Sequence, residues 1–294
     1  MDSFFGVPYP ALFGQLMIGL INGSFYALLS LGLAVIFGML HVVNFAHGAQ
    51  YMLGAFIAWF LLDKLGVSYW LGLFIAPVLV GIFGALIERF LLSRLRGKDP
   101  IYGLLLTFGL AMTLEGTFQY FYGSSGRTYA VPEGLRGGLN LGFMYMPIYR
   151  GWVIVSSLVV CAATWFLIEK TKVGMYLRAA TEKSLQTQSF GINVPLLITL
   201  TYAVGAGLAA FAGVLAAPIY QVGALMGQSM IIVVFAIVVI GGMGSIFGAM
   251  ATAYLLGLVE AITKIYYPQG SSIAVFVVMA IVLMTRPAGL FGKE

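Results

Sequence analysis

Residues 22–55 read NGSFYALLSLGLAVIFGMLHVVNFAHGAQYMLGA. From Asn22 to Leu40 the run carries no charge, and it continues an apolar stretch that begins near residue 12. At about 1.5 Å per residue, a helix of that length crosses the roughly 30 Å hydrocarbon core of a bilayer. An interruption follows. His41, Asn44, His47, Gly48 and Gln50 fall between this run and the next, with apolar residues around them. That composition suits a break buried in protein better than a free turn. Discontinuous helices expose backbone groups to a polar solute, and polar residues at such a break line a path.

The rest of the chain repeats this message. Of its 294 residues 61% are hydrophobic and 9% are charged, where a soluble domain carries about 25% charge. The mean hydropathy is +1.00. Lipid is the solvent such a surface needs. It offers no partners to backbone N–H and C=O groups, so the spans are helices or a closed barrel. The apolar runs are long and do not alternate, which selects helices and an all-α polytopic membrane protein. Nine segments are expected, at 12–40, 48–62, 69–92, 101–122, 151–169, 196–219, 229–242, 245–264 and 271–285. A span needs about 20 residues, so 48–62, 229–242 and 271–285 read as tilted, re-entrant or half-spanning, giving eight or nine crossings. The 38 glycines suit close helix approach.

A second interruption is VVIGGMGSIFGAM, residues 238–250. Gly241, Gly242 and Gly244 break the run, and Ser245 is placed to cap the next helix. Both breaks lead to a Gly-Ala pair (Gly54-Ala55 and Gly248-Ala249) and a further apolar run, a loose pattern consistent with an internal repeat. Close glycine packing between helices is the alternative reading of both.

The net charge of +5 is explained by its distribution, and not by nucleic acid. Arg89, Arg94, Arg96 and Lys98 follow the third segment, Lys170, Lys172, Arg178 and Lys183 the fifth, and Arg286 and Lys293 the last. The positive-inside rule places these clusters and the C-terminus in the cytoplasm of a multi-pass inner-membrane protein. Nine full crossings then put the N-terminus outside, and a re-entrant segment would reverse this. Met1 to Pro10 has no basic residue and no cleavable apolar core, so the first helix is expected to serve as the insertion signal. The chain reads as one permease domain over 1–294. Its 123–150 segment is an irregular, Gly-rich extracytoplasmic loop. Its 169–195 segment is a cytoplasmic loop of short helices suited to docking.

Enzymatic chemistry finds little footing. No G-x-x-x-x-G-K-[ST] is present, so no phosphate-cradling loop is expected. His41 and His47 are six apart without a nearby carboxylate, which argues against zinc. Gly123-Ser124-Ser125-Gly126 resembles a serine protease motif but lies in a loop, after both histidines. Cys161, the single cysteine, is expected to pack. No cofactor or metal is expected. Glu115 is the foremost intramembrane charge and should face protein or water. Glu260 and Lys264 are spaced for a local i,i+4 pair, and Glu88 with Arg89 for the cytoplasmic edge.

Three blocks together resemble the permease subunits of ABC importers for branched-chain amino acids. They are Asn22–Ala55, quoted above; GMYLRAATEKSLQTQSFGINV, Gly174–Val194; and FAIVVIGGMGSIFGA, Phe235–Ala249. The C-terminal RPAGLFG, Arg286–Gly292, is also typical. The resemblance covers nearly the whole chain. The second block occupies the place of the ATPase-coupling segment, although TEKSLQTQSF is more polar than the small-residue pattern expected there. The resemblance implies a second, related permease in a heterodimer, two cytoplasmic ATPases and an extracytoplasmic solute-binding protein. The cargo would be amino acids or related solutes such as amides, urea or organic acids. Candidate path residues are Asn22, Asn44, His47, Gln50, Glu115, Gly241, Gly242 and Gly244. Candidate coupling residues are Arg178, Ala179, Ala180, Thr181, Glu182 and Gly191. An ion- or proton-coupled secondary transporter, and a channel for a neutral solute, are the competing readings.

Overall fold

A computed structural model describes residues 3–4, 7–40, 43–142 and 144–292. His41 and Lys293 lie outside them. The described chain opens with a short hairpin, β1 (Ser3–Phe4) and β2 (Val7–Pro8). Then follow α1 (Tyr9–Leu40), α2 (Ala46–Leu65), α3 (Tyr69–Phe90) and α4 (Pro100–Tyr122). After a hairpin of β3 (Gly138–Asn140) and β4 (Tyr145–Pro147) come α5 (Ile148–Lys170), α6 (Lys172–Glu182) and α7 (Ser184–Ser189). The remaining helices are α8 (Val194–Ala216), α9 (Met226–Gly241), α10 (Ile246–Tyr266) and α11 (Ser271–Thr285).

Every expected apolar segment is a helix. Seven helical stretches are long and apolar enough to cross a membrane: α1, α3 with the turn after it, α4, α5, α8, α10, and α11 with the turn before it. Of the nine expected segments, the two outside this set among the described residues are α2 and the 16-residue α9, which flank the breaks. Local chemistry sets the ends. Asp99 accepts the Ile101 N–H with Pro100 in the first turn of α4, Asn193 accepts from Leu196 N at α8, and Ser245 Oγ from Gly248 N at α10. Gly66 closes α2 in the left-handed conformation, φ 64°.

Small residues fix the packing. α1 lies antiparallel to α10, with Gly19 against Gly257 and Ala261, and Gly23 against Tyr254. α3 lies antiparallel to α8, where Gly84 meets Ala206 and Gly207 meets Pro77. α8 also packs on α1 and α2, so it is the central helix. A Cβ on Gly54 of α2 would sit 2.7 Å from the Ala210 carbonyl carbon of α8. Ile36, Ile87, Leu92 and Tyr202 form one cluster with Leu40 and Leu106. It gathers the end of α1, the end of α3, and the starts of α4 and α8 at one end of the bundle. The residues before α8 therefore share that end with Arg89–Lys98.

Two expectations need correction. The 196–219 segment is one helix only as far as Ala216. α8 stops at Ala216 and the chain turns back, because Arg127 and Val222 exchange backbone hydrogen bonds of 2.8 and 2.9 Å. Val222 and Ala224 are buried, and the Tyr220 ring lies 5.7 Å from that of Phe25, partway along α1. The stretch 217–225 is thus re-entrant, and α9 begins inside the bundle. The 123–150 loop is also more ordered than its composition suggested, since it contains the β3–β4 hairpin.

The packing gives a direct test. Gly54→Leu is expected to prevent accumulation of folded protein, whereas Gly109→Ala, where a Cβ meets nothing within 4 Å, is expected to be silent. Yield of monodisperse protein in detergent and its melting curve check both, and a wild-type melt for Gly54→Leu would refute the close α2–α8 crossing.

Candidate translocation path and docking platform

The first break is held by its neighbours. Asn44 Oδ1 accepts from Ala46 N at 3.1 Å, and Thr107 of α4 accepts from Phe45 N at 3.2 Å. The Thr107 hydroxyl lies 3.0 Å from Leu104 O and 3.3 Å from Val43 O. Backbone groups freed by the break are therefore satisfied by side chains. His47 Nε2 lies 3.0 Å from Leu29 O, and Gln50 Nε2 donates to Tyr202 Oη at 3.2 Å. Asn44, His47 and Gln50 are fully or almost fully buried. Their remaining atoms Nδ2, Nδ1 and Oε1 find no hydrogen-bond partner among the described residues. A methyl on Gly32 would lie 2.8 Å from Gly205 O and 2.9 Å from His47 Cε1, so α1, α2 and α8 converge here. The starts of α2 and α9 also meet, since a Cβ on Gly48 would lie 2.6 Å from Gly227 O.

Asn22 stands apart from this cluster and accepts from Tyr220 Oη at 3.2 Å. Glu115 shares with Gly103, Thr107 and Ala111 the buried stripe of α4, whose main helical neighbour is α2. No hydrogen bond or ion pair of Glu115 is found among the described residues.

The second break is built differently. Gly242 and Gly244 have φ of 97° and 87°, which favour glycine. α9 and α10 pack across it, whereas α1 and α2 scarcely touch. A Cβ on Gly241 would lie 2.7 Å from the Gly248 carbonyl. The tail RPAGLFG returns to this point: Leu290 N donates to Ile240 O at 2.8 Å and Phe291 N to Gly241 O at 3.2 Å. Gly244 also stands against Gly38, so the end of α1, the second break and the tail share one end of the bundle.

Two carboxylates differ from the sequence expectation. Glu260 is not paired with Lys264 among the described residues; it accepts from Tyr26 Oη at 2.9 Å, across to α1. Lys264 is exposed on the last turn of α10. Glu88 lies in the last turn of α3 beside Arg89, but it is not an exposed edge residue. It is fully buried, in an ion pair with Arg96 and accepting from Thr199 Oγ1 of α8. Arg89 is exposed, as expected of an edge residue.

On α6 and α7, Ala180 is buried while Ala179 and Glu182 are exposed and Thr181 is half-buried. Arg178 ties α6 to the end of α5, donating to Ile168 O at 3.3 Å and Glu169 Oε2 at 3.4 Å. Gly191 has φ 82° and open space around it. Sequence reasoning missed the apolar side of this platform. Leu185 and Phe190 are 81% and 86% exposed beside Val173, Met175 and Tyr176. Their polar neighbours hid them in the sequence. At the far end, Tyr149 Oη donates to Leu215 O at 2.9 Å and lies 3.1 Å from Tyr69 Oη, which accepts from Trp152 Nε1. Burial beside Tyr69 pushes Tyr129 of the 123–150 loop up to about 12, so it stays a neutral phenol.

Residues 15–285 match the family described as "Branched-chain amino acid transport system / permease component". The chain is 33% identical over 303 residues to the high-affinity branched-chain amino acid transport system permease protein BraD of Pseudomonas aeruginosa, covering 95% of each. It is 30% identical to LivH of Escherichia coli, again covering 95% of each. To LivM of Escherichia coli it is 27% identical, over 90% of this chain and 67% of that protein. LivH and LivM bear the same permease title.

The Glu88 network yields a stability prediction. Arg96→Ala strands a buried carboxylate and is expected to lower unfolding free energy by about 3 kcal/mol. Adding Glu88→Gln is expected to recover much of the loss. Thermal unfolding in detergent reads both; additive losses would show that the pair is not coupled.

Proposed function

The chain belongs to the branched-chain amino acid transport permease family and is a multi-pass membrane permease subunit of an ABC importer; from that premise we propose that it moves amino acids or related small polar solutes. The family match along residues 15–285 carries this reading. The partner permease is a paralogue, as the coexistence of LivH and LivM in one organism supports. Two ATPase subunits supply the energy, since a separate nucleotide-binding partner is needed where no phosphate-cradling loop exists. They dock on α6 and α7, with Arg178–Glu182 and Gly191 framing the contact and Leu185 and Phe190 as its apolar centre. That end is cytoplasmic and holds the C-terminus; the single permease domain presents its 123–150 loop to an extracytoplasmic binding protein. The positive-inside rule supports this orientation, because the basic clusters after α3 and α5 share an end with the tail.

The path runs along the breaks. Asn44, His47 and Gln50 flank it where α2 and α9 begin, Asn22 lies further out, and Gly241, Gly242 and Gly244 give α9 and α10 freedom to change their angle. Glu115 shapes the outer part of the path and carries no obligatory proton.

Two experiments follow. In proteoliposomes holding the full complex, ATP inside and the proton gradient collapsed, uptake is expected to persist, and Glu115→Gln is expected to retain at least half of it. Uptake that ignores ATP and needs the gradient would overturn the proposal. Gly191→Leu forces a side chain onto a left-handed backbone and is expected to cut uptake at least tenfold with the ATPases still bound. Normal uptake in that variant would remove Gly191 from the coupling surface.

A further inference from the structure

A cleft of about 260 Å³ opens between α1, α9, α10 and α11, lined by Tyr26, Ser229, Ile232, Val233, Glu260, Ser272, Val275 and Phe276. We propose that this cleft is the chain's half of the solute site, and that Glu260 receives the ammonium group of an aliphatic α-amino acid there. The inference rests on the importer reading and deepens it.

Glu260 carries the argument. It lies six residues, about 9 Å, from the end of α10 remote from the docking platform. A carboxylate at that depth is costly when it faces hydrocarbon, so this wall faces protein or a watered path. Among the described residues the carboxylate accepts from the Tyr26 hydroxyl and from no other side chain. A carboxylate has about four acceptor positions, so most of its capacity is open to the cleft. No basic side chain pairs with it among the described residues, and Lys264 is exposed one turn further along. The site therefore presents a carboxylate with acceptor positions to spare, which suits an N–H-bearing cation.

The other lining residues narrow the cation to an amino acid. Ser229 and Ser272, on α9 and α11, are exposed hydroxyls able to donate to a solute carboxylate. Ile232, Val233, Val275 and Phe276 form an apolar wall for an aliphatic side chain. A metal ion would have no use for that wall, and an acyl chain none for the carboxylate. The α9 side of the cleft belongs to the short helix that ends at the glycine break, so a change of angle there would move Ser229 and Val233 relative to Glu260.

The test uses the assembled importer in a Cys161→Ser background as parent, with Ser272 kept for every uptake measurement and Ser272→Cys added as reporter for labelling alone. L-leucine is expected to slow labelling of the introduced thiol by a small polar methanethiosulfonate at least threefold. Glu260→Gln, which keeps an acceptor for Tyr26 but removes the charge, is expected to abolish that protection and raise the KM for leucine uptake at least tenfold. 4-Methyl-2-hydroxypentanoate, with a hydroxyl in place of the ammonium, is expected to protect in neither. If the parent takes up leucine on ATP but leucine leaves labelling unchanged, or protects equally with Glu260→Gln, the cleft assignment is overturned while the importer reading stands. If the parent takes up no amino acid on ATP, the solute reading itself falls. Should Glu260→Gln fail to assemble, Glu260→Asp withdraws the charge by one methylene and must weaken protection; equal protection overturns the assignment.

Discussion

A backbone N–H or C=O in hydrocarbon must find its partner inside the protein, and this structure is organised around that demand. Helices meet it without help. Where the chain leaves the helix, something else must be brought to the backbone. At the first break the supply comes from Asn44 and from Thr107 of α4. At the re-entrant stretch after α8 it comes from Arg127 of the 123–150 loop. At the end of α9 it comes from Leu290 and Phe291. The C-terminal tail is therefore a fitted cover for Ile240 and Gly241. The sequence places it nearly fifty residues away, and the fold returns it to the break.

The same demand explains what could be read from the sequence. Helix existence follows from continuous apolar runs, and all nine appeared where expected. Among the helix ends, Ser245 was readable as the cap of α10, and Asn193 and Asp99-Pro100 act just as locally although the sequence reading did not single them out. Long-range pairing is different. The stretch APIYQVGAL, residues 217–225, is mostly apolar; Pro218 stops the helix locally, but the exchange of bonds with Arg127 that holds the returning chain is long-range. Tyr26 and Glu260 are 234 positions apart, so the i,i+4 spacing of Lys264 offered the nearer partner and the wrong one. Within the path, the polar break was legible as polar. That His47 meets Leu29, the Phe45 backbone meets Thr107 and Gln50 meets Tyr202 was not, because periodicity says nothing about which helix a break faces.

Three carboxylates in or near the membrane are handled in three ways. Glu88 is enclosed with Arg96 and Thr199, which joins α3 to α8 at the docking end. Replacing both partners would cost less than stranding one, so such a pair fixes geometry more than it adds stability. Glu115 lies buried on the α2-facing stripe of α4. Glu260 is half-buried on a cleft wall with a single tyrosine donor. Residue type alone does not separate these roles. Enclosure, partner count and the presence of adjacent space do.

Rigidity and freedom divide along the same lines. α1 with α10, and α3 with α8, meet through glycines whose added methyl would strike backbone or Cβ atoms within 2.7 Å at several positions. Interdigitation that close resists sliding, because helix interfaces hold discrete packed arrangements. α9 is different at both ends. It starts from a re-entrant loop and stops at a break with two positive-φ glycines, Gly242 and Gly244. The tail that holds one terminus emerges at the end of the bundle that also carries the exposed Leu185 and Phe190. A partner pressing on that end would thus act close to the glycine break that ends α9, while the α1–α10 and α3–α8 pairs keep the frame around it.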